Sequence, residues 1–282
     1  MPSFNYKKKF GQHFLRFFPA ELTDDVLQLS EETELHIVEI GPGNGALTIP
    51  LLQELTKKFT NITYHCVDID SEALSAVKER ISEVSEAMTV KVEYHLQDVL
   101  TVMLQDFHIE NGALLLLGSL PYNISKQIIS WTFRELSTLD RNITILPVNY
   151  IIQKEVADVY LSTPPDADFL SHTMRLFADR AENLRILPPG AFVPPPKVTS
   201  ALLHIVPKKL GQKEHEEIEK VGQFIKKCFN FPRKKLAFAL SKHFSHVKWP
   251  ENVEEVMQKR PQEVTTDEFL ELFRVMITTI AQ

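Results

Sequence analysis

The residues of this chain best placed to do chemistry form one short run, Gly118-Ser119-Leu120-Pro121-Tyr122-Asn123-Ile124-Ser125. It supplies a hydroxyl, a main-chain carbonyl ahead of a proline, and an aromatic ring. An amino nitrogen attached to a purine is a poor nucleophile because its lone pair is delocalised into the ring. Two acceptors that bind its hydrogens pull it toward a tetrahedral shape and localise that pair, and Ser119 Oγ and the Leu120 carbonyl are the candidate acceptors. Pro121 stiffens the turn. Tyr122 offers a face on which an unstacked base can lie, a contact worth about 1–3 kcal/mol per base. Such a nitrogen can attack an electrophilic methyl group in line and shed its proton afterwards, so positioning carries the reaction rather than a strong base. The plain alternative is a tight proline turn with a core tyrosine. A second ring, Phe192, stands in the proline-dense stretch 188–196. It either closes the other side of the base or simply anchors the loop.

A second constellation points to the partner of that chemistry. Glu39-Ile40-Gly41-Pro42-Gly43-Asn44-Gly45 follows an apolar strand-like run and precedes a helix-like one at 46–55. Glycines there let the backbone turn sharply and approach a ligand closely. Such a turn alone also fits a dinucleotide-dependent oxidoreductase. Two acids narrow the reading. Asp68 ends the second predicted strand, where a carboxylate can accept hydrogen bonds from both ribose hydroxyls. Asp98, in Gln97-Asp98-Val99, closes the third, placed to receive the amino group of an adenine lying across the sheet edge. A glycine turn with acids at these two strand ends suits a nucleoside without phosphates, such as S-adenosylmethionine. Taken singly, each acid also reads as an ordinary solvated strand-end carboxylate.

The elements that must position these groups follow from periodicity. Strand-length apolar runs at 35–40, 62–67, 90–96, 114–117 and 149–152 alternate with helical stretches. That is the pattern of an α/β fold with a Rossmann-like, mostly parallel sheet. Residues 71–85 make the clearest helix, with a serine cap and Leu74, Val77, Ile81 and Val84 on one face. Runs at 184–187 and 200–206 read as an antiparallel pair at one edge. After Pro207 the character changes. Residues 208–213 read as a polar linker, and Val221, Phe224, Ile225 and Phe229, then Phe269, Leu272, Phe273 and Met276, give helical faces. The expected organisation is a catalytic domain over 1–208 and a smaller all-helical domain over 209–282.

Composition excludes several classes. The chain has 282 residues, 44% of them hydrophobic, enough for a sizeable core. No apolar run approaches the roughly 20 residues that span a bilayer. The first twenty residues hold Lys7, Lys8, Lys9 and Arg16 with no acid, a pattern shared with organelle-targeting segments, but a cytoplasmic protein is the expectation. Two cysteines, Cys66 and Cys228, are too few for a disulfide framework or a cysteine zinc site, so no metal is expected. The net charge is -6, yet 185–248 carries thirteen basic residues against four glutamates, a phosphate-facing patch or a solvated helical surface.

These motifs together resemble the small-subunit ribosomal RNA adenine N6,N6-dimethyltransferases of the class I methyltransferase fold. The resemblance covers nearly the whole chain. It rests on Phe10-Gly11-Gln12-His13-Phe14-Leu15, the glycine turn, Ser119 to Ser125, and Gln153-Lys154-Glu155-Val156. Phe192-Val193-Pro194-Pro195-Pro196-Lys197-Val198-Thr199-Ser200 and Phe229-Asn230-Phe231-Pro232-Arg233-Lys234-Lys235 complete it. It implies that His13 and Leu15 fold over S-adenosylmethionine, that Gly41 and Gly43 cradle it at its methionine portion, and that Asp68 meets the ribose and Asp98 the adenine, with Ser119 bordering both ligands. It further implies dimethylation of two adjacent adenines in a hairpin near the 3′ end of small-subunit ribosomal RNA. The substrate would be that RNA or a pre-ribosomal particle, bound through Lys197, Arg233, Lys234 and Lys235 by a monomer.

The chain departs from that pattern where it matters. Ser119 stands where the family has asparagine before Leu-Pro-Tyr. Asp168-Phe169-Leu170-Ser171 lacks the familiar Tyr-Gly-Arg lead-in, and Phe231-Pro232 replaces the commoner Gln-Arg. An assembly or transcription factor that kept the fold without the chemistry is the alternative that Ser119 raises. A large-subunit RNA methyltransferase shares the cofactor motifs and the catalytic turn, but the triple proline and the helical C-terminal region favour the small-subunit family; a nicotinamide-dependent dehydrogenase shares only the glycine turn.

Overall fold

In the computed structural model the described residues are all but 1–12, 17–18, 25–27, 29–33, 85–89 and 281–282. Phe10, Gly11, Gln12 and the three N-terminal lysines therefore lie outside them, as does Ser85.

The chain divides into two compact units, one of residues 1–157 and 181–211, the other of 158–180 and 212–282. The first is built on an eight-stranded sheet. Strands β2 (Leu35–Ile40), β3 (Ile62–Asp68), β4 (Val90–Leu96), β5 (Ala113–Ser119), β6 (Thr144–Ile145), β7 (Val148–Gln153), β8 (Ala178–Leu187) and β10 (Ser200–Pro207) enter it in the order β4-β3-β2-β5-β7-β10-β8, with β6 beside β5. All pairings from β4 to β7 are parallel and β10 runs antiparallel to β7. This is the expected sheet with its antiparallel edge. Two very short strands, β1 (Phe14–Leu15) and β9 (Phe192–Val193), make a separate antiparallel pair.

β2 is buried at every position, as a central parallel strand covered on both faces must be. Its alternation places Leu35, Ile37 and Glu39 on one face with Tyr64 and Cys66 of β3. There they pack against helices α1 (Thr48–Leu55) and α2 (Ser71–Val84) through Leu51, Leu52, Leu74, Val77 and Ile81. The expected serine cap of α2 is displaced by one residue: Asp70 Oδ1 accepts the Glu72 amide at 3.1 Å. Helix α3 (Ser125–Leu136) follows the Pro-Tyr turn, and α4 (Lys154–Leu161) follows β7.

The strand order reverses between β2 and β5, where neighbouring chains leave the sheet in opposite directions and open a crevice at the carboxyl ends. Both informative sequence runs lie there: the glycine turn leaves β2 and the Ser119 turn leaves β5.

The second unit is helical: α5 (Phe169–Phe177), α6 (Gln212–Cys228), α7 (Leu236–His243), α8 (Glu254–Gln258) and α9 (Thr266–Ile280). Phe224, Ile225, Phe269 and Leu272 are buried as their periodicity requires. Residues 158–180, placed by the sequence in the catalytic domain, cluster with this unit. Part of the reason is visible at Asp168-Phe169-Leu170-Ser171. Asp168 Oδ1 accepts the Leu170 amide at 2.9 Å and closes a capping box with Ser171. The helix so started brings buried His172 to 2.8 Å from Thr266 Oγ1. No helix among the described residues is long and apolar enough to cross a membrane.

Candidate active site

The crevice at the switch point is a cleft of about 310 Å³. Its walls include His13, Leu15, Gly41, Gly43, Asp68, Asp98, Ser119, Leu120, Pro121 and Tyr122, so the predicted cofactor and catalytic residues converge on one cavity, Phe192 excepted.

The glycine turn is held open by backbone bonds from Gly41 N–H to the Val67 carbonyl, 2.9 Å, and from Gly45 N–H to the Pro42 carbonyl, 2.8 Å. Gly41 and Gly43 have φ of +69° and +55°, in the left-handed region that side chains disfavour. A Cβ at Gly43 would lie 2.5 Å from the Phe14 ring, whereas one at Gly41 would meet, among the described residues, only the Ser119 carbonyl oxygen, 3.6 Å away, and otherwise enter the cleft. The glycines thus serve two ends: one admits Phe14, the other leaves ligand space.

Asp68 ends β3, and its carboxylate accepts the Asp70 amide at 2.8 Å. Burial raises its pKa to about 6, against the opposing pull of backbone donors that include the Gly43 amide. Asp98 lies two residues past β4, exposed, and caps the helical turn Val99–Thr101 by accepting the Leu100 amide at 3.0 Å. Both acids border the cleft, one desolvated and one wet.

Ser119 is the last residue of β5. The Leu120 amide donates to the Ile151 carbonyl at 3.0 Å, pinning the turn to β7. Tyr122 is half-buried, and its hydroxyl shares a 2.7 Å hydrogen bond with Ser200 Oγ at the start of β10. Burial raises the Tyr122 pKa, with the Ser200 bond opposing it. The His13 ring stacks on Tyr122 at 5.9 Å and 22°, and His13 Nδ1–H donates to the Pro194 carbonyl at 2.7 Å. That bond fixes the imidazole as a second planar surface beside the tyrosine.

Phe192 does not join them. Its side chain is 0% exposed and packs in the apolar core with Leu15, Leu187 and Leu202. Pairing of β9 with β1 sets Phe192 opposite Leu15 and turns its ring inward, so it anchors the loop instead of facing a base. Lys197 is exposed on the loop before β10 and does not border the cleft. Arg233, Lys234 and Lys235 are exposed in the helical unit, where Lys235 Nζ donates to Gln258 Oε1 at 2.8 Å.

Two cleft residues escaped the sequence reading. Phe14 stands inside the Phe10 to Leu15 run with no signal of its own. Glu39 is 1% exposed, accepts Thr48 Oγ1 at 2.5 Å and Tyr64 Oη at 2.7 Å through Oε2, and leaves Oε1 buried with no hydrogen-bond partner among the described residues. Burial raises its pKa to about 7. An acid inside a strand whose other residues, His36 apart, are apolar is the available signal.

The geometry is matched by kinship. A family model described as ribosomal RNA adenine dimethylase matches residues 3–278. The chain belongs to the ribosomal RNA adenine dimethylase family. It is therefore an enzyme of the rRNA adenine dimethyltransferase class. It is 28% identical over 274 residues to ribosomal RNA small subunit methyltransferase A of Coxiella burnetii, covering 96% of this chain and 97% of that one. Its fold is similar to that of a dimethyladenosine transferase from Plasmodium falciparum, with a TM-score of 0.70, 20% identity and coverage of 94% and 98% of the two chains. It is also similar to the 23S rRNA methyltransferase ErmE, with a TM-score of 0.63, 21% identity and coverage of 94% and 99%. Both likenesses establish the class I methyltransferase architecture of the family member described here.

Proposed function

We propose that this family member transfers methyl groups from S-adenosylmethionine to N6 of two adjacent adenines in a 3′-terminal hairpin of small-subunit ribosomal RNA during ribosome assembly. The observation that carries the reading is the adjacency of Gly41 and Ser119: a ligand lying on the glycine turn is within reach of the turn suited to hold an amino group. The small-subunit methyltransferase relative, matched end to end, supports the choice of RNA.

The cleft fits the cofactor on its own evidence. Gly41 provides a cradle that a Cβ would fill, and Glu39 Oε1 is a buried oxygen that no described residue pairs with and that suits a cationic group. Bound there, S-adenosylmethionine supplies an electrophilic methyl group on a sulfonium. Gly41, Gly43 and Glu39 would hold its methionine end, Asp68 the ribose hydroxyls and Asp98 the adenine amino group, under a cover of His13, Phe14 and Leu15.

For the target base, Ser119 Oγ and the Leu120 carbonyl accept the two amino hydrogens and localise the nitrogen lone pair. Tyr122 stacks on the base once it has left its helix, an extrusion that costs a few kcal/mol. A serine reaches less far than the family's asparagine and must place its own proton elsewhere. Lengthening one such bond costs about 1–3 kcal/mol, a change in rate of roughly 5- to 150-fold. Ser119 is therefore the observation that favours the second reading, an assembly factor with disabled chemistry.

Incubation with labelled S-adenosylmethionine and unmethylated small subunits, followed by nucleoside analysis, separates the two. Dimethyladenosine from the native chain is expected. No methyladenosine from the native chain, with recovery in Ser119→Asn, would overturn the catalytic reading in favour of the assembly factor.

A further inference from the structure

We propose that His65, Glu93 and His95 form a binding site for one divalent transition-metal ion, Zn²⁺ by preference, which ties edge strand β4 to β3. The ligand atoms of these three side chains all lie within 4.8 Å of one another. His65 Nδ1 is 3.2 Å from His95 Nε2 and 3.4 Å from Glu93 Oε2, and the last two atoms are 3.8 Å apart. The point equidistant from the three is about 2.0 Å from each, the length of a zinc bond to an imidazole nitrogen or a carboxylate oxygen. The triangle therefore needs almost no rearrangement to close around an ion.

Register explains why the three meet. His65 is the cross-strand partner of Glu93, and His95 lies two residues further along β4, on the same face. That face is opposite the one carrying Tyr64 and Cys66 and so is separate from the α1 and α2 core. The surroundings complete a site. The Phe107 ring stacks on the His65 imidazole at 4.5 Å and lies tilted 4.5 Å from that of His95, covering one side with an apolar surface. Lys91 Nζ holds Glu93 Oε1 at 2.6 Å, which orients Oε2 inward as an outer-shell partner does. His65 is fully buried, while His95 and Glu93 are 20% and 33% exposed, leaving an approach and a place for water as a fourth ligand.

Two imidazoles and one carboxylate select zinc and its first-row neighbours over calcium or magnesium, which take oxygen donors. The absence of a cysteine framework hid the site, because its ligands come from two strands whose pairing cannot be read in sequence. The ion would also steady the chain that leaves β4 and carries Gln97 and Asp98 to the cleft.

The test uses the full-length, untagged protein, stripped with a chelator and then titrated with ZnCl₂ by calorimetry and with CoCl₂ by visible absorption. Expected are one ion per chain, a rise in Tm with Zn²⁺, and a Co²⁺ spectrum of tetrahedral intensity. His95→Ala should weaken Zn²⁺ binding by more than about 100-fold, beyond the range typical of losing an outer-shell partner. Glu93→Gln should weaken it in the same direction, and it serves as the variant if His95→Ala melts below the parent without metal. No saturable binding, or unchanged affinity in a folded variant, would overturn the proposal.

Discussion

The Tyr122 hydroxyl and Ser200 Oγ are joined by a 2.7 Å hydrogen bond across 78 residues of sequence, which fastens the proposed base platform to the start of β10. Ring and bond have separable consequences. Tyr122→Phe keeps the ring and loses the bond, a cost of about 0.5–1.5 kcal/mol, or roughly two- to twelvefold in methyl transfer. Tyr122→Ala loses the stacking face as well, and transfer should fall on the order of 10- to 100-fold, with cofactor affinity little changed. Equal rates for the two variants would show that the ring is no platform.

Gly41→Ala and Gly43→Ala distinguish ligand space from packing space. Each puts a side chain in the left-handed region, at about 1–2 kcal/mol. At Gly41 the new methyl meets no described atom nearer than 3.6 Å, so the fold should survive while cofactor affinity drops at least about tenfold, equivalent to about 1.4 kcal/mol. At Gly43 the methyl would strike the Phe14 ring at 2.5 Å, and the melting temperature should fall further. Calorimetric titration and thermal melts check both. Parental cofactor affinity in Gly41→Ala would remove the ligand from that turn.

How much of this was legible in sequence depended on how local each signal was. The Gly41 and Ser119 turns announced themselves because glycine, proline and strand-end acids constrain the backbone within a few residues. The sheet followed from continuous apolar runs. Phe192 misled because its burial is decided by the two-residue pairing of β9 with β1, far too short for periodicity and formed between distant parts of the chain. Residues 158–180 were assigned by position, whereas the capping box at Asp168 and the bond from His172 to Thr266 associate them with the helical unit. Glu39 was hidden in plain view, a lone acid whose partners Thr48 and Tyr64 only folding brings together.

That buried acid makes stability depend on pH. Desolvation raises Glu39 from 4.5 to about 7, opposed by hydrogen bonds from Thr48 and Tyr64 and reinforced by the charge of Asp68. Because the folded chain keeps a proton that the unfolded chain releases, stability is greatest below about pH 4.5 for this group alone. It falls as pH rises toward 7, by roughly 3 kcal/mol in all. Asp68, raised to about 6, acts with the same sign lower in the range. Urea denaturation of the ligand-free protein at pH 5.5 and 7.5 should show the loss, and Glu39→Gln should remove most of it. An equal loss in the variant would assign the effect to other groups.

The exposed triplet Arg233, Lys234 and Lys235 bears on RNA binding through salt. Each phosphate contact made by a cation releases counterions and contributes about 0.7–0.9 to the slope of log affinity against log salt. Lys235 also donates to Gln258, so part of its charge is committed within the helical unit. Neutralising all three should therefore lower the slope by about 1.5–2.5 and weaken binding most at low salt. Methyl transfer at saturating RNA should change far less, because the described residues that line the cleft all belong to the first unit. Filter binding of a small-subunit hairpin RNA across a salt series gives the slope directly. A slope equal to that of the parent would move the phosphate contacts elsewhere, with Lys197 the next residue to neutralise.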